Sequence, residues 1–344
     1  MRTFGIRSAV AVLSAATLAI GLAGCGGGKT ADDKEITVYS GRGKSLVQPV
    51  IDEFTKKTGI TVKVRYGKTS EMASQLLEEG DKTVADVFLA QDAGALGAVA
   101  AKGLFAPLPE KVLTQVPEQY RSGKKTWVGV TGRSRVMVYD SQTVTKEQLP
   151  QSVYDLTAPE WKGKVAIAPP NGSFQAFVTG MRVKDGDKTT LEFLKGLKAN
   201  DVQLRQNNVT IVSEVNQGKI AAGLVNHYYL FEQAHEAGTT ADKMRAQLHF
   251  FTGGDPGALV NVSGVGITKT SAKDSDAAAF VEYLLGKDAQ TYFADTLYEY
   301  PLIGSVPPAE GLPALSELQT PELDLEDLES LDATLKMITE AGLA

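Results

Sequence analysis

One cysteine and three histidines in 344 residues leave several common chemistries without material. A lone thiol forms no internal disulfide, and the multiple thiolates of the common Cys/His zinc sites are absent. Basic residues are outnumbered by acidic ones, 35 to 41, giving a formal charge of −6 and a pI near 5.3. That balance argues against a nucleic-acid partner, because phosphate binding requires a basic surface. Enzyme motifs are scarce too. There is no Gly-x-Ser-x-Gly elbow, no His-Glu-x-x-His and no EF-hand loop around Asp185-Gly186-Asp187, and nothing points to a Ser/His/Asp triad. What is present is ordinary globular material, 43% hydrophobic and 22% charged, enough for roughly two domains.

Residues 1–24 read as an export signal. Arg2 and Arg7 precede an uncharged run from Ser8 to Ala23 that is too short for a comfortable bilayer span. The run ends Leu22-Ala23-Gly24-Cys25, which resembles a bacterial lipobox, where the signal is cleaved before a cysteine that then carries lipid. On that reading Cys25 is the lipid attachment site and the protein is exported and anchored to the cell membrane, facing the periplasm or the exterior. The competing reading is an ordinary secretory signal with an incidental cysteine. Residues 25–34, with Gly26-Gly27-Gly28, form a flexible tether. Cleavage leaves 33 basic and 41 acidic residues, a charge of −8, and a lipidated Cys25 leaves no thiol for redox or nucleophilic chemistry.

The body alternates strand and helix patterns. Ile36 to Gly41 is a β-branched strand, and Val47, Val50, Ile51 and Phe54 follow at helical spacing with Gly59 placed as a C-cap. Ile60, Val62, Val64 and Tyr66 alternate as a strand, Met72, Leu76 and Leu77 mark a helix, and Ala85 to Ala90 is a short apolar run of the buried-strand kind. Strands are expected again at 136–139, 164–168, 220–225 and 262–267, with helices at 189–197, 211–217 and 277–285, the last ended by Gly286. This grammar is that of an α/β layer fold. From Glu310 to Asp332 there are eight acidic residues and no basic one, read as a terminal helix with a solvated acidic face, or more sharply as a docking surface for a basic partner.

Gly41-Arg42-Gly43-Lys44-Ser45 looks like the tail of a phosphate-binding loop, but Val38 stands where the full pattern needs glycine, so a strand-to-helix turn facing a cleft is the better reading. The most informative stretch is Asn226-His227-Tyr228-Tyr229 at the end of an apolar strand. Aromatic packing is one explanation. The other is that two phenolates, hard anionic oxygen donors, hold a highly charged cation. Neighbouring side chains on a continuous strand point to opposite faces, so both tyrosines reach one ion only if the strand ends and a helix begins here. His227 is a further candidate ligand, or a hydrogen-bonded turn residue.

The order of these pieces from about residue 35 to 305 resembles the ferric-iron-binding solute receptors of bacterial ABC importers, the bacterial transferrins. The resemblance is carried by Ile36 to Gly41, Ala85-Asp86-Val87-Phe88, Trp127, Gly132 to Asp140, Trp161-Lys162-Gly163, Leu194 to Lys198, Asn226 with Tyr228-Tyr229, Asp255 to Val260 and Glu299-Tyr300-Pro301-Leu302. It implies an α/β, two-lobed periplasmic-binding-protein-like (type II) fold with a hinge and an inter-lobe cleft, and no enzyme activity. The first lobe is expected at 35–131 plus 260–300, and the second at 132–259 plus 301–344 with C-terminal helices. It further implies ferric iron as cargo, held by Tyr228 and Tyr229, with phosphate or carbonate as synergistic anion on Asn171, Gly172, Ser173, Asn208, Asn226 and, for carbonate, Arg133. Where the family's best-known pattern has a histidine ligand this chain has Gly43, and where it has a glutamate it has Gln91, which leaves Asp92 as a further candidate metal ligand. The implied partners are a permease and its ATPase and, through the lipid, the membrane; the protein is expected to be a monomer. A receptor for a phosphorylated or other small anionic solute is the runner-up, and a secreted hydrolase a distant one.

Overall fold

The computed structural model describes residues 34–344; the expected signal, Cys25 and nearly all of the tether lie outside the described residues. Strands are β1 (Glu35–Ser40), β2 (Thr61–Tyr66), β3 (Val87–Ala90), β4 (Val128–Asp140), β5 (Val165–Ile167), β6 (Gln203–Leu204), β7 (Ala222–Asn226), β8 (Ala246–His249), β9 (Val260–Ile267) and β10 (Tyr300–Pro301). Helices are α1 (Lys44–Thr58), α2 (Thr69–Glu79), α3 (Ala93–Ala101), α4 (Glu110–Leu113), α5 (Gly172–Ala199), α6 (Asn208–Asn216), α7 (Tyr228–Glu236), α8 (Ser275–Leu284), α9 (Lys287–Leu297) and α10 (Leu331–Glu340). None of them is long and apolar enough to cross a membrane.

The strands follow the order β2-β1-β3-β9-β4-β7-β5-β6, with β8 and β10 also pairing with β4. Parallel pairs β1·β2 and β1·β3 make one end and β5·β6 and β5·β7 the other, while β9 runs antiparallel to β3 and β4. The thirteen-residue β4 joins the two halves: Val128 to Ser134 pair with β9, then Arg135 to Tyr139 pair with β7. Cores divide the same way. Ile36, Phe54, Phe88, Trp127 and Val265 belong to one cluster, and Met137, Phe174, Phe177 and Leu224 to another. The chain passes between them at β4 and again just before β9, which makes two lobes with a cleft where the strands change partners.

Local physics explains the elements that position the cleft. On α1 the predicted stripe Val47, Val50, Ile51 and Phe54 is buried, each side chain contributing about 1.5–3 kcal/mol, and Gly59 closes the helix in the left-handed region (φ 73°) where a side chain would be strained. On α2 the buried stripe is Met72, Ala73 and Leu76, and Leu77 turns outward instead. Gly286 follows the end of α8 as expected, and with φ −72° it is also the N-cap of a second helix, α9, whose Phe293 and Leu297 bury in the first core. The helix expected at 189–197 is the far half of α5, which breaks at Gly186 (φ 84°).

The acidic C-terminal stretch corrects the expectation of one exposed helix. Residues 310–330 carry only 3₁₀ turns at Leu315–Glu317 and Leu325–Glu329, and Leu302, Leu325 and Leu328 bury in the first core rather than the second. Only after Ser330 does the chain form α10, whose Met337 and Ile338 join the second core. The reason is a close backbone approach: a Cβ on Gly94 or Gly97 of α3 would stand 2.5 Å from the Leu328 carbonyl oxygen or 2.7 Å from that of Glu326. Glu326 then accepts a hydrogen bond from the Trp127 indole at 3.2 Å and another from Ser122.

This contact yields a signed prediction. In an open helix, Gly97→Ala adds about 1 kcal/mol of stability. Here the new methyl meets fixed backbone, and overpacking costs of about 1–3 kcal/mol outweigh the propensity gain. Thermal unfolding should show a net loss, with altered Trp127 fluorescence as the 325–329 turn is pushed away; an unchanged or raised melting temperature would refute the close packing.

Candidate functional site

Three strand-to-helix turns converge on the cleft. After β3 come Gln91 and Asp92, the latter capping α3 by accepting from Ala95 N–H at 3.0 Å. After β5 come Asn171, Gly172 and Ser173, where Asn171 caps α5 by accepting from Ser173 N–H at 2.9 Å. After β7 comes His227, and α7 starts at Tyr228. All three sites are carboxyl ends of strands, where open α/β sheets place ligands. Arg133 and Arg135 reach the same place from β4, because residues two apart on a strand share a face. Together with Asn226, Tyr228, Tyr229 and Asn261 these residues line a cavity of about 230 Å³.

The switch from strand to helix at Asn226 brings the tyrosine pair together. Their ring centroids lie 4.2 Å apart at 33°, and both rings line the cavity. Burial pushes the Tyr228 phenol well above its ordinary value, with the neighbouring Tyr229 adding to the effect. Among the described residues no three His, Cys, Asp or Glu side chains gather as a metal site, and the hard oxygen donors lining this cavity are the two phenols, the Asp92 carboxylate and side-chain amides.

His227 is not a free ligand. Its ring is fully buried, Nδ1 accepts from Ser134 N–H at 3.1 Å, and Nε2 donates to the Tyr298 carbonyl at 2.8 Å. Burial holds its pKa down at about 4. Between that value and the ~6.5 of an exposed imidazole, the unfolded chain binds the proton and the folded one does not, so stability falls as pH falls. The loss from pH 7 to pH 4 should be about 3 kcal/mol. Urea midpoints across this window should fall less steeply in His227→Gln; equal slopes in both proteins would contradict the buried neutral imidazole.

The expected anion residues separate into two groups. Asn171, Gly172, Ser173, Asn226 and Arg133 line the cavity. Asn208 does not: it is fully buried behind the loop, and its Nδ2 donates to Ser173 Oγ at 2.8 Å and toward Asn171 Oδ1 at 3.4 Å. It orients the turn instead of lining the cavity. Asp92 lines the cavity while capping α3, and burial raises its carboxyl above the usual range. Gly43 is exposed and outside the cavity, and the neighbouring Arg42 turns inward to a buried bidentate pair with Glu299 at 2.8 and 2.9 Å. Of the Gly41–Ser45 turn, Arg42 points into its own lobe, and none of its residues lines the cavity.

Two polar cavity residues, Asn261 and Arg135, were not among the expected site residues. Asn261, at the start of β9, accepts from Ala93 N–H at 3.3 Å and so ties β9 to the α3 turn. Arg135 donates to Ser173 Oγ at 3.2 Å, to Asn226 Oδ1 at 3.5 Å and to the Leu224 carbonyl at 2.7 Å. Burial lowers its pKa to about 9, an effect that Tyr229 and Tyr228 partly offset. Arg133, two residues earlier on β4, donates to the Gln91 carbonyl after β3. Strand alternation from Arg133 is the signal that could have found Arg135.

Known proteins match this chain over most of their length. The chain is 36% identical to the Fe(3+)-binding periplasmic protein of Serratia marcescens over 313 residues, 90% of this chain and 91% of that one. The structure superposes on iron-bound HitA from Pseudomonas aeruginosa with a TM-score of 0.81 and 32% identity, covering 90% of this chain and 99% of that one. Trichodesmium IdiA (FutA), solved in complex with iron and citrate ligands, gives a TM-score of 0.79 at 29% identity, with 90% and 100% coverage. The family model for the bacterial extracellular solute-binding proteins matches residues 82–330, and this chain belongs to that family.

Proposed function

We propose that this protein captures ferric iron in the inter-lobe cleft, together with a synergistic phosphate or carbonate, and delivers it to the permease of an ABC importer. The observation that carries the reading is the Tyr228–Tyr229 pair, two phenols 4.2 Å apart at a helix start that lines the cavity. Relatives named for ferric iron binding, at up to 36% identity over nearly the whole chain, support the same cargo. The first lobe contributes Gln91 and Asp92 but no histidine or glutamate, so the second lobe carries most of the metal binding. The anion completes the coordination. It takes the Asn171–Ser173 turn at the positive end of α5, with Asn226 and Arg133 beside it. Hinge closure over the loaded site is the signal that the permease and its ATPase read.

Arg133 and Arg135, which form no carboxylate ion pair among the described residues, favour the alternative, a receptor for a phosphorylated or other anionic solute, as a second reading. Metal analysis after loading with ferric iron and phosphate or carbonate separates them. One iron per chain is expected. A metal-free protein that binds a sugar phosphate instead would establish the alternative.

Export and lipid anchoring through Cys25 complete the proposal, holding a monomeric receptor at the membrane beside its permease. Cys25→Ser should move the protein from the membrane fraction to the soluble fraction while leaving iron binding unchanged. Retention of the variant in membranes at the wild-type level would refute the anchor.

A further inference from the structure

A second pocket, of about 710 Å³, opens beside α7 and shares no residue with the cleft cavity. Its size is that of a small-molecule site. Leu230, Phe231 and Ala234 line it from α7, Leu248 and Phe250 from β8 and the residue just beyond, and Tyr298 from the end of α9. The Phe231 and Tyr298 rings stack with centroids 5.7 Å apart at 28°. Tyr298 closes α9 in the left-handed region (φ 55°), so a ring stands on this wall at a cost in backbone strain. Around the apolar floor are the carboxylates of Asp242, Asp295 and Glu310, all exposed and none in an ion pair among the described residues. Lys243 is the one lysine or arginine on the lining, which with a neutral His235 leaves a formal charge of −2. The negative field extends behind the wall. Burial, then the Glu232 charge, raises the Tyr298 phenol, and burial, with Glu299 and Glu236, pushes Glu232 up to about 7.

We propose that this pocket is a second ligand site, for a small organic dication with an apolar body, such as an alkyl diammonium. The surplus of carboxylates calls for positive charge in the ligand. A metal ion does not fit: among the described residues no three His, Cys, Asp or Glu side chains gather closely enough to hold one. Carboxylates that do not converge on one point, set around apolar walls, suit charged ends joined by methylenes. The methylenes gain by leaving water against Leu230, Leu248 and Phe250. An ammonium gains on the face of an aromatic ring as well as beside a carboxylate. A neutral ligand of the same shape keeps only the methylene contacts. Because the pocket lies outside the cleft cavity, the proposal stands apart from the ferric reading.

The test is calorimetric titration of the iron-free protein with hexamethylenediamine, against hexanediol as its neutral counterpart. One diamine should bind per chain, the diol should bind at least about 10-fold more weakly, and added salt should weaken the diamine alone. Asp295→Asn combined with Glu310→Gln removes two exposed carboxylates and should weaken the diamine about 4- to 25-fold, at about 2- to 5-fold for each surface pair. Tyr298→Asn removes the ring while keeping every charge and a residue that tolerates the left-handed backbone, and should cost about 2- to 5-fold. Should Tyr298→Asn not fold by circular dichroism, Phe231→Leu takes its place with the same expectation. Equal binding of diamine and diol, no saturable binding of the diamine, or a double variant that titrates like the wild type each overturns the proposal. So does a loss confined to the double variant, with the ring variant unchanged, which would mean diffuse attraction to an acidic surface.

Discussion

Tyr228→Phe and Tyr229→Phe should each lower ferric affinity by more than about 100-fold while leaving the fold intact. Changes one step removed from a metal typically cost 10- to 100-fold, so deleting a direct oxygen donor should cost more. The substitution keeps the ring and its packing against the neighbour at 4.2 Å, and removes only the hydroxyl. With Gly43 exposed outside the cavity and Gln91 uncharged, the first lobe offers little to take over the lost charge. Chelator competition measures the affinities, and circular dichroism checks the fold. Two Phe variants that bind iron as tightly as the wild type would make the tyrosine pair aromatic packing and nothing more.

Acid should release the iron steeply. Both phenols must lose a proton when the metal binds, and the raised pKa of Tyr228 keeps that proton in place at every physiological pH in the empty protein. Two protons exchanged per ion make the affinity fall about 100-fold for each pH unit, at a fixed state of the anion. Competition titrations between pH 7.5 and 5.5, with the chelator's own protonation accounted for, should give a slope near two. A slope near zero would mean that iron is held by groups already ionised or never ionised, such as Asp92 and the amides.

The fold was largely legible where side-chain periodicity speaks. Alternation along Val62, Val64 and Tyr66, the stripe on α1 and the apolar run of β3 each reappear as the expected element. Failures came where backbone contact decides. Nothing in the acidic 310–332 stretch says that Gly94 and Gly97 will admit its carbonyls, so leucines that looked like one face of a helix pack as a turn. Gly286 does mark the end of α8 as expected, but that it also opens a further helix, α9, was not foreseen. At the site, residue types on loops were visible because Asn-Gly-Ser and Tyr-Tyr are unusual neighbours. What stayed hidden was which layer each occupies: Asn208 sits behind the turn, and His227 is bonded at both ring nitrogens. Arg135 was passed over because a charged residue within a buried strand reveals its purpose only when its partners on other strands are known.

The most direct test of tyrosinate-held iron is the visible absorption of the wild-type protein during stepwise addition of ferric iron in phosphate or carbonate buffer. The account predicts a phenolate-to-iron charge-transfer band that grows linearly and saturates at one iron per chain. A protein that binds one ferric ion and stays colourless would contradict it.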